Sequence, residues 1–573
     1  MVTGFGAPGN RFRRLGVVIL SVTVATLGPA PVARAQVAGR PVDRVREALR
    51  ERLEAVGSAG LVVSGDPIYS RTALPQFYER RTYVPAWSDD RGPLPRVNAL
   101  LESIESARRE GLNPEDYHLS AIRSTLQRVV EARRLGRADV AALVDLDLLA
   151  SDAFLVYGAH LVSGRVDPVS IHPAWTAVRR ERDLVAVLDT ALLNDGIGAA
   201  LRSLLPDRRE YFGLRDALAR YREMADSGGW PQVPAGPKLE VGSSGARVAV
   251  LRRRLAATGA LHDALAQADT FDTALADAVR RFQSHQGLDV DGAVGPATLA
   301  ALNVPVKDRI AQIEANMERW RWLPEDLGRR YIVVNIADFT LTAVESTSTA
   351  LKMRVVVGQR YHATPVFSDT MRYVVLNPYW NVPTSIAVRE ILPLVRKDPA
   401  YLTRQNMEVL SLTGNVPIDP ATIDWRPVDA SRFPYRIRQR PGPWNALGQM
   451  KFMFPNPYNV YLHDTPARQL FSRSARGFSH GCIRLEKPLD LLAYVLRDNP
   501  AWTKDGIDSA LDSRTETTIR IAEPIPVHIL YWTAWADADG SIQFRDDIYG
   551  RDGTVERALH AAPPGIQPGA ARP

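Results

Sequence analysis

From about residue 40 to residue 230 the apolar residues recur every three or four positions. In "RVNALLESIESARREGL", Val97, Leu100, Leu101, Ile104 and Ala107 share one helical face, and "DVAALVDLDLLASDAFLVYGAHLV" reads as a longer, almost wholly apolar helix. The spacing predicts a helical scaffold over 40–230, with Tyr157 and His160 as core residues whose hydrogen bonds are satisfied. The Gly-, Pro- and Ser-rich run "MADSGGWPQVPAGPKLEVGSSG" breaks the period and predicts a linker over 227–237. A compact unit follows at 238–303. Val248, Leu251 and Leu255 mark its first helix, and Leu275, Val279 and Phe282 a second that Asp272 caps. A turn at Asp291-Gly292 and Pro296 at a first helical position announce a third. Asp289 and Asp291 are turn residues on this reading, because the loop lacks the other ligands and the closing glutamate of a calcium site. The unit is expected to be basic.

From Tyr331 the period drops to two. "YIVVNIADFTLTAV", "MRVVVG", "MRYVVLNPYWNVP", "YNVYLHD", "TTIRIAEPIPVHILYWTAW" and "SIQFRDDIYG" predict a β-rich domain over 331–550, with a hairpin turn at Asp539-Gly540. Between 383 and 448 lies a long insertion, helical at first and then rich in Pro, Arg and Asp. Its length predicts a subdomain or a lid rather than an idle loop. The tail 560–573 is expected to be disordered. The fold class is therefore α+β and multidomain.

The 573 residues, 45% of them hydrophobic, are enough for about three domains. Arg11, Arg13 and Arg14 precede an apolar run from Leu15 to Leu27, and Ala33-Arg34-Ala35 follows. This layout predicts a signal peptide over 1–35, too short to span a bilayer comfortably, and an exported protein of the periplasm that does not span a membrane. Export puts nucleic acid out of reach, so a net charge of +7 and a pI near 9.4 suit an anionic wall polymer instead.

Cys482, the one cysteine of the chain, stands in "SHGCIRLEKP". A lone thiol makes no intrachain disulfide, and Gly, His, Ser and Arg do not build an apolar pocket for a buried cysteine. A nucleophilic thiolate needs a base or a cation in reach. His463, at the end of a predicted strand, is the favoured base. His480 is too close in sequence to reach the thiol unless Gly481 makes a tight turn. The helix "PLDLLAYVL" is expected to bring its N-terminal amides near the thiol. Zinc held by His463, His480 and Cys482 is an alternative, but no HExxH and no fourth ligand accompany it. A papain-like order would place the cysteine first. A non-catalytic wall-binding protein is the reading from a different class.

The run from His463 through Ser479-His480-Gly481-Cys482-Ile483-Arg484 resembles the catalytic signature of the L,D-transpeptidases, the YkuD family. "VAVLRRRLAATGAL" and "DAVRRFQSHQGLDVDGAVGPATLAAL" make 238–303 similar to the peptidoglycan-binding type 1 domain. With "NPYWNVPTSIA", "YLHDTP" and the helical N-terminal region, nearly the whole mature chain looks like the large periplasmic, YcbB-like branch of that family. The resemblance implies that Cys482 attacks the diaminopimelate carbonyl of a donor tetrapeptide stem, D-alanine leaves, and the amine of an acceptor stem resolves the thioester into a 3-3 cross-link. Water in place of the amine would make the same site a carboxypeptidase or cross-link hydrolase. It further implies His463 as base, the Asp464 carbonyl orienting its ring, and the Gly481 and Cys482 amides as oxyanion donors. Ser479 and His480 would shape the loop, Arg484 would position the loop or a substrate carboxylate, and Tyr461 and Trp380 would line the pocket. No cofactor and no metal are implied. The implied partners are stem peptides, glycan and wall synthases, with carbapenems as inhibitors. Trp380, Trp425 and Trp444, in or beside the insertion, are expected to cover the peptide stem.

Overall fold

The structure, a computed structural model, describes residues 40–55, 60–261 and 269–563; the expected signal peptide and most of the expected tail lie outside them. The N-terminal region is helical. At its centre runs α1 (Val140–Ser163), buried along nearly its whole length and capped by the Asp139 carboxylate, which accepts from the Ala142 amide at 3.0 Å. Its polar groups are satisfied internally: Tyr117 and His160 meet at 3.1 Å, and Asp147 accepts from the Ala86 amide and the Tyr78 hydroxyl.

Three helices, α2 (Ala246–Ala256), α3 (Thr273–His285) and α4 (Pro296–Leu302), form the small module. Asp272 caps α3 through the Leu275 amide at 2.8 Å, and Val248, Leu251, Leu275 and Val279 fill a separate core. The expectation of a basic module is overturned. Between 238 and 303 the sequence carries seven Lys or Arg and seven Asp or Glu. Moreover, Arg252 and Arg254 are buried, Arg252 against Asp272 and Arg254 over the Trp230 ring.

The stretch 304–330, to which the periodicity assigns nothing, supplies a strut, α5 (Val306–Arg321). The strut joins the helical region to the β-rich region through buried polar pairs. Arg321 bonds to Glu318 at 2.8 Å, Glu318 accepts from the Val166 amide at 2.7 Å, and Arg319 reaches Asp552 at 2.6 Å.

The β-rich region is a nine-stranded sheet built from β1 (Arg330–Asn335), β2 (Thr340–Glu345), β3 (Ser348–Gly358), β4 (Phe367–Leu376), β5 (Met450–Met453), β6 (Leu462–His463), β7 (Gly477–Ser479), β8 (Ile483–Leu485) and β9 (Thr517–Leu530). The order is β7-β3-β8-β6-β5-β4-β9-β1-β2, and pairing of β2 with β3 closes the sheet on itself. Ile332, Val334, Leu341, Val355, Val374, Phe452, Leu462 and Ile483 are fully buried and form the interior. Alternate residues point outward. The hairpin expected at Asp539-Gly540 joins Ala534–Ala536 to Ile542–Phe544, with Gly540 at φ +81°.

The insertion leaves after β4 and returns before β5. It is a subdomain with its own four-stranded sheet, ordered Pro417–Ile418, Met407–Ser411, Tyr435–Gln439, Trp380–Asn381. Ile391, Val395, Leu402, Val409, Trp425 and Ile437 form its core. Trp425 is therefore core and does not face a peptide, and Trp380 packs partly against that same core. Trp444 remains exposed.

Candidate active site

Strand periodicity explains how residues 19 positions apart in sequence meet. In the parallel β6–β8 pair, Leu462 lies opposite Ile483 and His463 opposite Arg484. Leu462 and Ile483 point inward, so Tyr461, His463, Cys482 and Arg484 share the outer face, with Cys482 diagonal to His463. On the other side of β6, Lys451 of β5 lies opposite His463.

The loop before the thiol is held from several sides. Gly481 adopts φ +115°, a conformation open to glycine and strained for residues with a Cβ. Ser479 Oγ donates to the Cys482 carbonyl at 2.5 Å and accepts from the Gly481 amide at 3.1 Å. Thr364 Oγ1 donates to the Gly481 carbonyl at 2.9 Å, and the Gln359 amide to the Ser479 carbonyl at 3.0 Å. Of the two proposed oxyanion donors, the Gly481 amide is thus engaged by Ser479.

The half-buried Cys482 thiol contacts the Asn459 carbonyl at 3.6 Å. Burial pushes its pKa up, while Tyr461, through its amide and hydroxyl, and the charges of Lys451 and Arg484 pull it down. His463 is buried, its Nδ1 at 2.5 Å from the Asp464 carbonyl. Burial, and after it the Arg484 charge, lowers its pKa to about 3, so the ring is a neutral imidazole. The ring and the thiol are not hydrogen-bonded to each other. The Asp464 carboxylate acts elsewhere. It accepts from the Gln449 and Thr465 amides and pairs with Arg468, tying the returning end of the insertion to β6.

Three placements escape the sequence. The helix Pro488–Leu496 does not offer its amides to the thiol, because β8 separates them; at about 3.3 Å per residue the strand carries the chain well away from Cys482. His480 points at the insertion and bonds through Nε2 to Glu390 at 2.6 Å, with its ring 5.1 Å from that of His362. Lys451 sits with Nζ 3.9 Å from the centroid of the Tyr461 ring, which meets His463 edge-on at 5.7 Å. Only the alternation of "MKFMF" could have hinted at Lys451. Among the described residues no group of three His, Cys, Asp or Glu is placed to hold a metal, and no helix is long and apolar enough to cross a membrane.

Three family models match: the scaffold domain over residues 72–218, the "Putative peptidoglycan binding domain" over 244–302 and the YkuD L,D-transpeptidase catalytic domain over 329–521. The chain is 39% identical over 247 residues to a "Putative L,D-transpeptidase" of Haemophilus influenzae, a match covering 43% of this chain; it spans about half, 49%, of that relative's length. Solved L,D-transpeptidases of Xylanimonas cellulosilytica and Stackebrandtia nassauensis are 16% and 13% identical. Each covers 52% of this chain, with 99% and 96% of their own chains aligned and TM-scores of 0.17 and 0.20, too low to bear on the argument. On the sequence matches, residues 329–521 are an L,D-transpeptidase catalytic domain of the YkuD family, carried on one chain with a scaffold domain and a peptidoglycan-binding domain.

Proposed function

We propose that the protein is a cysteine-dependent peptidoglycan L,D-transpeptidase. The observation that carries this reading is the diagonal placement of Cys482 and His463 on one outward face. A neutral imidazole is the form that accepts the thiol proton. The thiolate then adds to the diaminopimelate carbonyl of a donor tetrapeptide stem, and as the thioester forms the C–N bond breaks and D-alanine departs with the proton that His463 took from the thiol. The Cys482 amide is the open donor to the oxyanion, joined by the Gly481 amide once Ser479 Oγ releases it. An acceptor-stem amine attacks the thioester and regenerates the thiol. The Arg484 side chain, with no hydrogen bond or ion pair among the described residues, is free to meet a stem carboxylate. The 238–303 module holds the enzyme to its substrate, and the N-terminal segment delivers it to the periplasm. Wall synthases are its partners and carbapenems acylate the same thiol.

The test is incubation of the purified protein with isolated wall fragments, followed by mass analysis. Loss of D-alanine with new stem-to-stem masses is expected. Tripeptide alone would identify a carboxypeptidase, and unchanged fragments would overturn the reading.

A further inference from the structure

The outer face carries a row of three side chains in ladder register: Lys451 on β5, His463 on β6 and Arg484 on β8. The middle member is neutral, so two cations flank one imidazole with the thiol beside it. Lys451 makes no ion pair among the described residues. The acidic group whose charge bears on it, Glu516, accepts from the Tyr379 amide at 2.9 Å. The Lys451 ammonium lies instead on the Tyr461 ring, 3.9 Å from its centroid, and the Tyr461 amide and hydroxyl favour the ionised thiol. Arg484 is likewise unpaired, with its Nε buried and lacking a partner.

Keeping cations half-buried without a counter-ion costs stability unless the site supplies an anion. The one anion that this site generates on its own is the thiolate of Cys482. We propose that Lys451 is the counter-cation of the Cys482 thiolate, a positioning residue that sets how much of the thiol is ionised before substrate arrives. The step is a simple ionisation, in which the S–H bond breaks and the proton leaves to solvent in the free enzyme or to His463 in the complex. The groups facing the thiol are then Tyr461 and His463 from β6, Lys451 from β5 and Arg484 from its own strand, with Glu516 acting on Lys451 from beyond. Burial alone would hold the thiol protonated, and the neutral His463 cannot supply the balancing charge; Lys451 can, through the polarisable Tyr461 ring.

The inference rests on Cys482 as the nucleophile, but its test needs no wall substrate. Because the chain has a single cysteine, alkylation by iodoacetamide, in which the sulfur displaces iodide, reports that thiol alone. The rate is followed from pH 6 to pH 10 in the parent, Lys451→Met and Lys451→Arg, with circular dichroism and thermal melting as checks of folding. The expected result is a profile displaced upward by about one pH unit and a rate at pH 7.5 about tenfold lower in Lys451→Met, restored largely in Lys451→Arg. A displaced profile in a protein that forms no cross-links would keep this inference and remove the transpeptidase reading. A folded Lys451→Met with an unchanged profile would overturn the inference.

Discussion

His480 Nε2 and Glu390 Oε1 lie 2.6 Å apart, so the loop that presents Cys482 is bonded directly to the insertion. Glu390 belongs to the π-helical turn Ala387–Ile391, a local widening of the helix that re-aims a side chain. Both partners are well exposed, at 35% and 52%, so the pair adds less than about 1 kcal/mol to stability. Its effect should fall on the reaction instead. Glu390→Ala is expected to melt within a degree or two of the parent while the ratio of hydrolysed to cross-linked product rises, because a looser insertion admits water to the thioester. An unchanged ratio by mass analysis would show that the bond does not serve closure.

Cys482→Ala should abolish both D-alanine release and iodoacetamide labelling while leaving the melting temperature near that of the parent, since the half-buried thiol contributes little packing. His463→Ala should slow acylation by about 10²- to 10⁴-fold, the usual scale of a lost proton acceptor, and His480→Ala by much less. Equal losses in all three, accompanied by bound zinc on elemental analysis, would instead favour the metal site.

Gly481→Ala tests the loop. A Cβ there would find ordinary space, the Gly358-side neighbour His362 O lying 3.7 Å away, so the penalty is backbone strain at φ +115° rather than a clash. About 1–3 kcal/mol of stability should be lost, together with acylation, because relaxing φ moves the Cys482 amide and thiol off the β8 register. Full acylation in the variant would mean that the loop tolerates another geometry.

The candidate pair of Cys482 and His463 is legible because alternation is local: it alone places Tyr461 with His463 and Cys482 with Arg484 on common faces. Lys451 and Glu390 are not, since their roles depend on which strand and which subdomain become neighbours, and sequence spacing does not encode that. The sheet of the insertion escapes periodicity because its strands are two to five residues long, and without that sheet Trp425 has no visible core to join. The helix amides look available to the thiol because "CIRLEKP" is too short to announce β8. Charge misleads at the module, where conspicuous arginines are matched by as many scattered acids, and two of them are buried.

Burial of His463 has a signed consequence for acid stability. The unfolded ring protonates near the ordinary 6.5, whereas the folded ring stays neutral down to about 3. Below 6.5 the unfolded state therefore binds more protons, and stability falls as pH drops, by up to about 1.4 kcal/mol per unit, while above 6.5 nothing is lost. His463→Gln removes this contribution. Between pH 7 and pH 5 the parent should lose about 2 kcal/mol more than the variant in denaturant unfolding. Equal losses would indicate that the folded ring takes up its proton at ordinary pH.

The insertion can be removed at a defined neck. Asn381 and Arg438 are ladder partners, the Val382 amide donates to the Ile437 carbonyl at 2.9 Å, and the Asn445 amide group ties Pro378, Gln439 and Arg440 together through their carbonyls. Replacing 382–437 by a few Gly and Ser residues spans a gap no wider than a strand pair, about 5 Å. The β4–β5 pairing, with Met450 opposite Leu376, and the Asp464 contacts to Gln449 lie outside the cut. The barrel should therefore fold, and the core of the insertion, separate from that of the barrel, is lost as a unit. Without its cover the thioester meets water freely. A small carbapenem should still acylate Cys482 at a rate within a few-fold of the parent, since the thiol and its neighbours on β5, β6 and β8 are untouched. Cross-linking should fall and released tripeptide should rise, because the amine is scarcer than water and nothing orients it. A truncated protein that folds, reacts with the carbapenem and divides its products as the parent does would show that the insertion is not a lid.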